Sequence, residues 1–137
     1  MANLTASYDA QDKDGRLQNY PIKAATKIYK GALVAILGST GLLEPCGDTA
    51  NQYFAGVAYE DGDNSAGAAG AVSARVTKMG SFVYNCTGAA QTWVGRNAMA
   101  LDDNTVALTS TNSVQVGVIT EFISSTRVRV RINVSAK

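Results

Sequence analysis

The sequence predicts an all-β fold: a small β-barrel or sandwich built from two pseudo-repeated β units, preceded by an extended N-terminal arm. Three observations carry this expectation. From Ile22 onward the apolar residues fall in short runs or strict alternation, bounded by Gly, Asp and Asn turns. No stretch sustains a helical period, and the best candidate, 87–97, is interrupted by Gly88 and Gly95. The chain also uses the same order of elements twice.

Residues 1–21 form the arm; they are polar, lack sustained periodicity and are closed by Pro21. The stretch reads either as a floppy terminus or as an arm that orders on a neighbouring subunit. A single domain, 22–137, follows. Its first clear element is the run Ala-Leu-Val-Ala-Ile-Leu at 32–37, flanked by Gly31 and Gly38, which suits a buried strand. The turn 38–41 leads to a strand at 42–46, and another spans 53–60. Residues 61–70, rich in Gly, Asp and Asn, read as a loop. Val72, Ala74 and Val76 alternate with Ser73, Arg75 and Thr77, the period of a half-buried strand. Gly80 marks a bend before a strand at 81–86. A hairpin follows at 98–109 around Asp102-Asp103-Asn104, then a long strand at 114–123 and a last one at 126–134.

The repeat links three blocks in constant order. Gly31-Ala-Leu-Val-Ala-Ile-Leu and its hairpin are echoed from Gly95, Ala55-Gly-Val-Ala-Tyr-Glu by Val116-Gly-Val-Ile-Thr-Glu, and Val72-Ser-Ala-Arg-Val by Val128-Arg-Val-Arg-Ile. Each copy alone would expose an apolar face, so packing the two together buries both.

Composition narrows the function. The chain has 137 residues, a net charge of +1, two cysteines and no histidine. Histidine-based triads, bases and metal ligands are therefore absent, and two cysteines fall short of a four-ligand zinc site. No nucleophile lies beside a base in any recognisable motif, so the expectation is a protein that is not an enzyme and takes no cofactor. The near-neutral charge speaks against nucleic acid as a partner. The longest apolar run is far short of a membrane span, and the start has no signal-peptide h-region, so the expectation is no membrane partner and synthesis in a cytoplasm with both thiols reduced.

Three stretches carry the candidate contact residues. Tyr8, Asp12, Lys13, Arg16 and Tyr20 stand in the arm, and Asp61, Asp63 and Asn64 in the loop. That loop has the opening of a calcium site but no closing carboxylate, and a flexible hairpin loop is the simpler reading. On the last strand Arg127, Arg129 and Arg131 face away from Val128, Val130 and Ile132. This face is either a solvated surface that discourages sheet aggregation or a basic strip for an acidic protein surface. Three arginines without an interleaved aromatic are too few for nucleic acid. Charge is also split along the chain. Five acids and no Lys or Arg lie between Gly31 and Ala74, and four basic residues and no acid between Phe122 and Lys137. Such ends can pair between copies of an oligomer, or simply be solvated.

The runs KGALVAI (30–36), FAGVAYEDGDNSAGAAGAVSARV (54–76), ALTSTNSVQVGVI (107–119) and TRVRV (126–130) resemble a family of small phage and prophage capsid-associated proteins, formerly of unknown function. The stretch 56–85 is also similar to the head decoration proteins of lambda-type phages, with Lys78, Gly80 and Phe82 in the place of their Lys-x-Gly-x-Phe segment. The resemblance covers about 22–134 and rests on packing and turn residues. It implies a capsid decoration or cement protein, usually a homotrimer, on the outer surface of the virion head, with the major capsid protein as partner and the N-terminal segment reaching the shell. The expected function is bridging capsomers and stabilising the shell. The alternatives are another virion structural protein (head-completion, tail-tube or fibre-attachment) and a small carbohydrate- or nucleic-acid-binding β-barrel.

Overall fold

The computed structural model describes residues 2–11 and 13–134, and among them it is all β, with no α-helix. The strands are Leu17–Pro21 (β1), Thr26–Ile28 (β2), Leu33–Leu37 (β3), Leu42–Pro45 (β4), Gln52–Ala58 (β5), Gly62–Asn64 (β6), Ser73–Thr77 (β7), Ser81–Asn85 (β8), Asn97–Ala100 (β9), Val106–Ala107 (β10), Gln115–Ser124 (β11) and Arg127–Ile132 (β12). A single 3-10 turn at Gln91–Trp93 occupies the segment that held the weak helical candidate.

The strands form two five-stranded sheets, in the orders β1-β7-β5-β3-β4 and β8-β12-β11-β9-β10, with a two-stranded β2-β6 ribbon on the first unit. The two orders are the same path. In each unit a hairpin is joined by a third strand, then a fourth, and the strand that entered the unit closes the far edge. Each sheet curls, so that its two edges meet at one parallel bridge, Ile22–Leu43 in the first unit and Asn85–Thr105 in the second.

The duplication extends to single hydrogen bonds. The turns 29–32 and 93–96 each place glycine third, with φ of +88° at Gly31 and +90° at Gly95, the geometry of a type II turn. Gly31 N–H donates to the Ala58 carbonyl (2.9 Å) and Ala58 N–H to that of Ala32 (2.9 Å); Gly95 N–H donates to Ile119 (2.7 Å) and Ile119 N–H to Arg96 (2.9 Å). Both central strands bulge at the same place. Val34 pairs with Gly56 and Ala35 with Phe54, leaving Ala55 extra; Ala98 pairs with Gly117 and Met99 with Gln115, leaving Val116 extra. After each bulge the backbone runs so close to the next strand that a Cβ on Gly56 would overlap the Thr77 carbonyl, and one on Gly117 the Arg131 carbonyl.

Three expectations change. The arm was expected to run to residue 21, but its last five residues are β1, paired with β7 from Leu17–Thr77 to Pro21–Ser73. The loop 61–70 contains β6, paired with the equally unforeseen β2. In the third block of the repeat the echo slips by two residues. Val57 pairs with Thr77, and its counterpart Val118 with Arg131, so Ala74 rather than Val72 corresponds to Val128. A two-residue slip leaves every side chain on the same face, so alternation alone does not register it.

The core has two parts. The first unit buries Ile22, Ile28, Val34, Leu43, Ala55, Ala58, Ala74 and Val76. Its alanines stand where the second unit has Val116, Ile119 and Val128, and Ile22 and Ile28, both fully buried, flank the first unit's strands. The second part joins the units: Leu33, Ala35, Cys46 and Val57 of the first pack into one cluster with Ala98, Val106, Val116, Ile119, Val128 and Val130 of the second. The first sheet is thus buried on both faces along β3, which is why that strand reads as a continuous apolar run rather than an alternating one. Both cysteines are buried as thiols, and burial pushes the Cys46 thiol up to about 12.

Replacing Gly117 by Ala forces β11 away from β12 and is expected to destabilise the fold by about 2 kcal/mol or more. Replacing exposed Ser125 by Ala is expected to change stability by no more than about 0.5 kcal/mol. Urea unfolding midpoints of the two variants check this; equal midpoints would contradict the close-approach reading.

Candidate functional site

The arm residues divide at β1. Leu4 and Tyr8 are 75% and 73% exposed, and Lys13 and Arg16 are exposed too. Asp12 lies outside the described residues. Tyr20 does not belong with them. It is half-buried on β1, its hydroxyl accepts a hydrogen bond from Lys78 Nζ (2.6 Å), and the same ammonium lies 4.9 Å from its ring centroid and donates to the Ala55 carbonyl at the bulge (2.7 Å). Its register partner Ala74 corresponds to Val128, the partner of Tyr84, so Tyr20 and Tyr84 are equivalent residues of the two units. Tyr20 ties β1 to the first unit rather than standing free with the exposed residues before Leu17.

The loop is more ordered than its composition suggests. Asp61 Oδ1 accepts the Lys30 N–H (2.7 Å). Asp63 Oδ1 accepts the Ser65 N–H (3.0 Å), and the other oxygen lies 4.0 Å from Lys27 Nζ. The Ser65 bonds, with a smaller contribution from Lys27, hold the Asp63 carboxyl below the usual carboxylate range. Asn64 is only 1% exposed, and the two hydrogens of its amide are shared among the carbonyls of Ile22 (3.2 Å), Lys23 (3.0 Å) and Ala68 (2.9 Å). It is the brace of the loop, not a contact residue. A Gly-Asp-Asn string reads as a solvated turn until the segment after β1 supplies the carbonyls of Ile22 and Lys23, beside that of Ala68 in the same loop, for the amide. Among the described residues no group of three or more His, Cys, Asp or Glu side chains is placed to hold a metal ion.

The arginine strand keeps its alternation, but its outer face is not one uniform strip. Arg129 donates to Glu121 on β11 (3.0 Å), a strand the linear pattern did not connect to it. Arg127 and Arg131 are exposed and have no carboxylate within salt-bridge distance among the described residues. The acidic stretch dissolves in the same way. Glu44 meets Lys23 (3.2 Å), Asp63 approaches Lys27, and Glu60 meets Arg75 (2.8 Å). Asp48 accepts the N–H groups of Thr111 (3.0 Å) and Asn112 (2.7 Å) from the second unit. These acids meet cations or backbone N–H groups of this chain, so the acidic stretch is not a free counterpart waiting for the arginine strand.

The residues that do come together lie between the units, in a cleft of about 400 Å³ lined by Tyr29, Lys30, Gly31, Ala32, Val83, Tyr84, Asn85, Asp103, Asn104 and Arg127. Four hydrogen bonds set its walls. Tyr84 Oη donates to the Gly31 carbonyl (2.9 Å), Leu33 N–H to Asp103 (2.8 Å), Asn85 N–H to Asn104 (3.0 Å), and Asp61 holds the Lys30 N–H. Burial, and after it the charge of Asp102, raises the Asp103 carboxyl above its usual range. Of the sequence candidates only Arg127 lines this cleft, with Asp61 acting behind it. Tyr29, Lys30, Asp103 and Asn104 were missed because they are far apart in the chain and none sits in a motif.

The Glu60–Arg75 pair makes a pH prediction. Hydrogen bonds from the Arg75 side chain and backbone hold Glu60 down to about 2, against an ordinary value of 4.5. A depressed carboxylate adds stability above its unfolded pKa, and that stability is lost as pH falls toward the folded one. Urea midpoints are therefore expected to decline between about pH 4.5 and about pH 2, with a shallower decline in Glu60→Gln. An identical pH profile for the variant would contradict it.

No protein-family profile, no curated protein and no solved structure matches the chain.

Proposed function

We propose that this protein is a non-enzymatic capsid decoration protein of a phage or prophage, binding the outer surface of the assembled head and bridging its capsomers. The sequence resemblance over about 22–134 suggests the class. The observation that carries the reading is the contrast between the body and what precedes it. The body is a double β unit, joined through one shared core, whose acids are largely satisfied internally. Ahead of it stand residues 2–11 and 13–16, all exposed and outside any strand, holding out two large apolar side chains, Leu4 and Tyr8. Such a segment suits a protein that grips a surface, because its large apolar side chains gain burial when a partner covers them.

The mechanism is mechanical. A protein that binds the assembled shell and not the free subunits stabilises the shell by mass action. In a homotrimer, three weak contacts made at once add through effective concentration. The structural boundary at Leu17 defines the test, because cutting beyond it would remove β1 and uncover β7.

Deleting residues 2–16 is expected to leave the β circular-dichroism spectrum and the light-scattering mass unchanged. It is expected to abolish co-sedimentation with shells assembled from the cognate major capsid protein. Undiminished shell occupancy by the truncated protein would overturn the role of the segment. Failure of the full chain to bind shells at all would overturn the function.

A further inference from the structure

We propose that the cleft between the two units is a binding site for an acidic peptide segment, with a carboxylate of that segment held between Lys30 and Arg127. The charge arrangement points to it. Lys23, Lys27, Arg75 and Arg129 each face a carboxylate of this chain, whereas Lys30 and Arg127, both exposed, have none within salt-bridge distance among the described residues and line the same cleft. Two cations without a carboxylate partner, carried on backbone walls that folding has already fixed, favour an anion that can reach both.

The walls are fixed by contacts between the units rather than by the cations themselves. The Tyr84–Gly31 bond and the Leu33–Asp103 bond both cross the junction, and the cleft volume of about 400 Å³ suits a few side chains, not a protein domain. The rest of the lining suits a peptide. The Tyr29 ring is 57% exposed, with Lys27 Nζ 4.9 Å from its centroid, and offers an apolar face. Asn85 is exposed, and its side chain can pair with a peptide backbone. Asp103 decides between anions. Its carboxyl repels a doubly charged phosphate more than a singly charged carboxylate, and it can accept a peptide N–H.

The corresponding turn of the second unit builds nothing similar. Arg96, one residue past Gly95, lies in a separate surface hollow with Asn97, Met99 and Leu108, and has no second cation beside it. The site is therefore a product of placing two copies of one unit against each other. It deepens the shell-binding reading, on which it rests for the identity of the partner, by naming what that partner must present: an Asp- or Glu-bearing loop.

The test is a titration of the full-length, nitrogen-15-labelled protein with a terminally blocked triglutamate peptide, followed by NMR. The expected result is saturable shifts confined to the amides of 30–32, 83–85 and 103–104. Lys30→Gln and Arg127→Gln should each weaken binding about tenfold, and Asp103→Asn should strengthen it. The amide spectrum of each variant reports its folding, and two cation variants guard against the loss of one. The proposal is overturned by absence of binding, by shifts centred on Arg131 instead, by unchanged affinity in both cation variants, by equal binding of blocked trilysine, or by tighter binding of inorganic phosphate. No shell enters this titration and no cleft residue enters the arm deletion, so either idea can fail while the other stands.

Discussion

The structure depends on the double burial of its first sheet. Leu33, Ala35 and Val57 point to one side of that sheet and Val34, Ala55, Ala74 and Val76 to the other, and both sides are closed. Burial of a Leu or Val side chain is worth roughly 1.5–3 kcal/mol. Prising the units apart would forfeit this for Leu33 and Val57 and would open the second unit's core to water. The junction also carries hydrogen bonds, from Leu33 N–H to Asp103, from Tyr84 to Gly31, and from Thr111 and Asn112 to Asp48. The chain therefore behaves as one domain although it is built from two similar halves.

The differences between the halves follow from the same constraint. The second unit's interior is completed by the first unit's outer face, so it can hold Val116, Ile119 and Val128. The first unit has alanine at those places and buries Ile22 and Ile28 beside the β2-β6 ribbon. Gly62 in that ribbon sits so close to Ile22 that a Cβ would come within 2.5 Å of its Cδ1. The first unit's alanines leave the space that Ile22, Ile28 and the ribbon fill on the side of the sheet away from the second unit. The ribbon acts as a terminal repeat's cap does in a stacked array: it closes the face that a further copy would otherwise cover.

Electrostatics sharpen where contacts with other molecules belong. Read along the chain, the acids of 31–74 and the arginines of β12 look like complementary ends. In space Lys23, Lys27 and Arg75, lying just outside the acidic stretch, return to it, and Glu121 takes the middle arginine. The exposed pairs among these, such as Arg75–Glu60 and Arg129–Glu121, contribute little each to stability, but all four remove their charges from the set available to a partner. What is left among the described residues is Lys30 and Arg127 in the cleft, Arg131 farther along β12, Arg96 in its separate hollow, and the exposed segment before β1.

The sequence by itself determined the all-β class, most strand positions, the duplication and the facing of β7 and β12. Each is a property of local period and turn chemistry, which act over a few residues. It also marked the segment before β1 as different by polarity alone. It did not show β1, because Leu17–Pro21 is exposed at most positions and owes its conformation to β7, nearly sixty residues later. Nor did it show β2 and β6, which are three residues each and stable only as a pair on the first unit. The two-residue slip in the repeat was invisible because it preserves the alternation. Asn64 and Tyr20 read as surface residues because deciding partners, the carbonyls of Ile22 and Lys23 and the Lys78 ammonium, arrive from other parts of the chain. The cleft is the extreme case. Its walls come from 29–32, 83–85, 103–104 and Arg127, and no local signal relates them. Only packing one unit on the other brings those residues together, because that is the step in which the apolar faces, and with them the rims around them, find their counterparts.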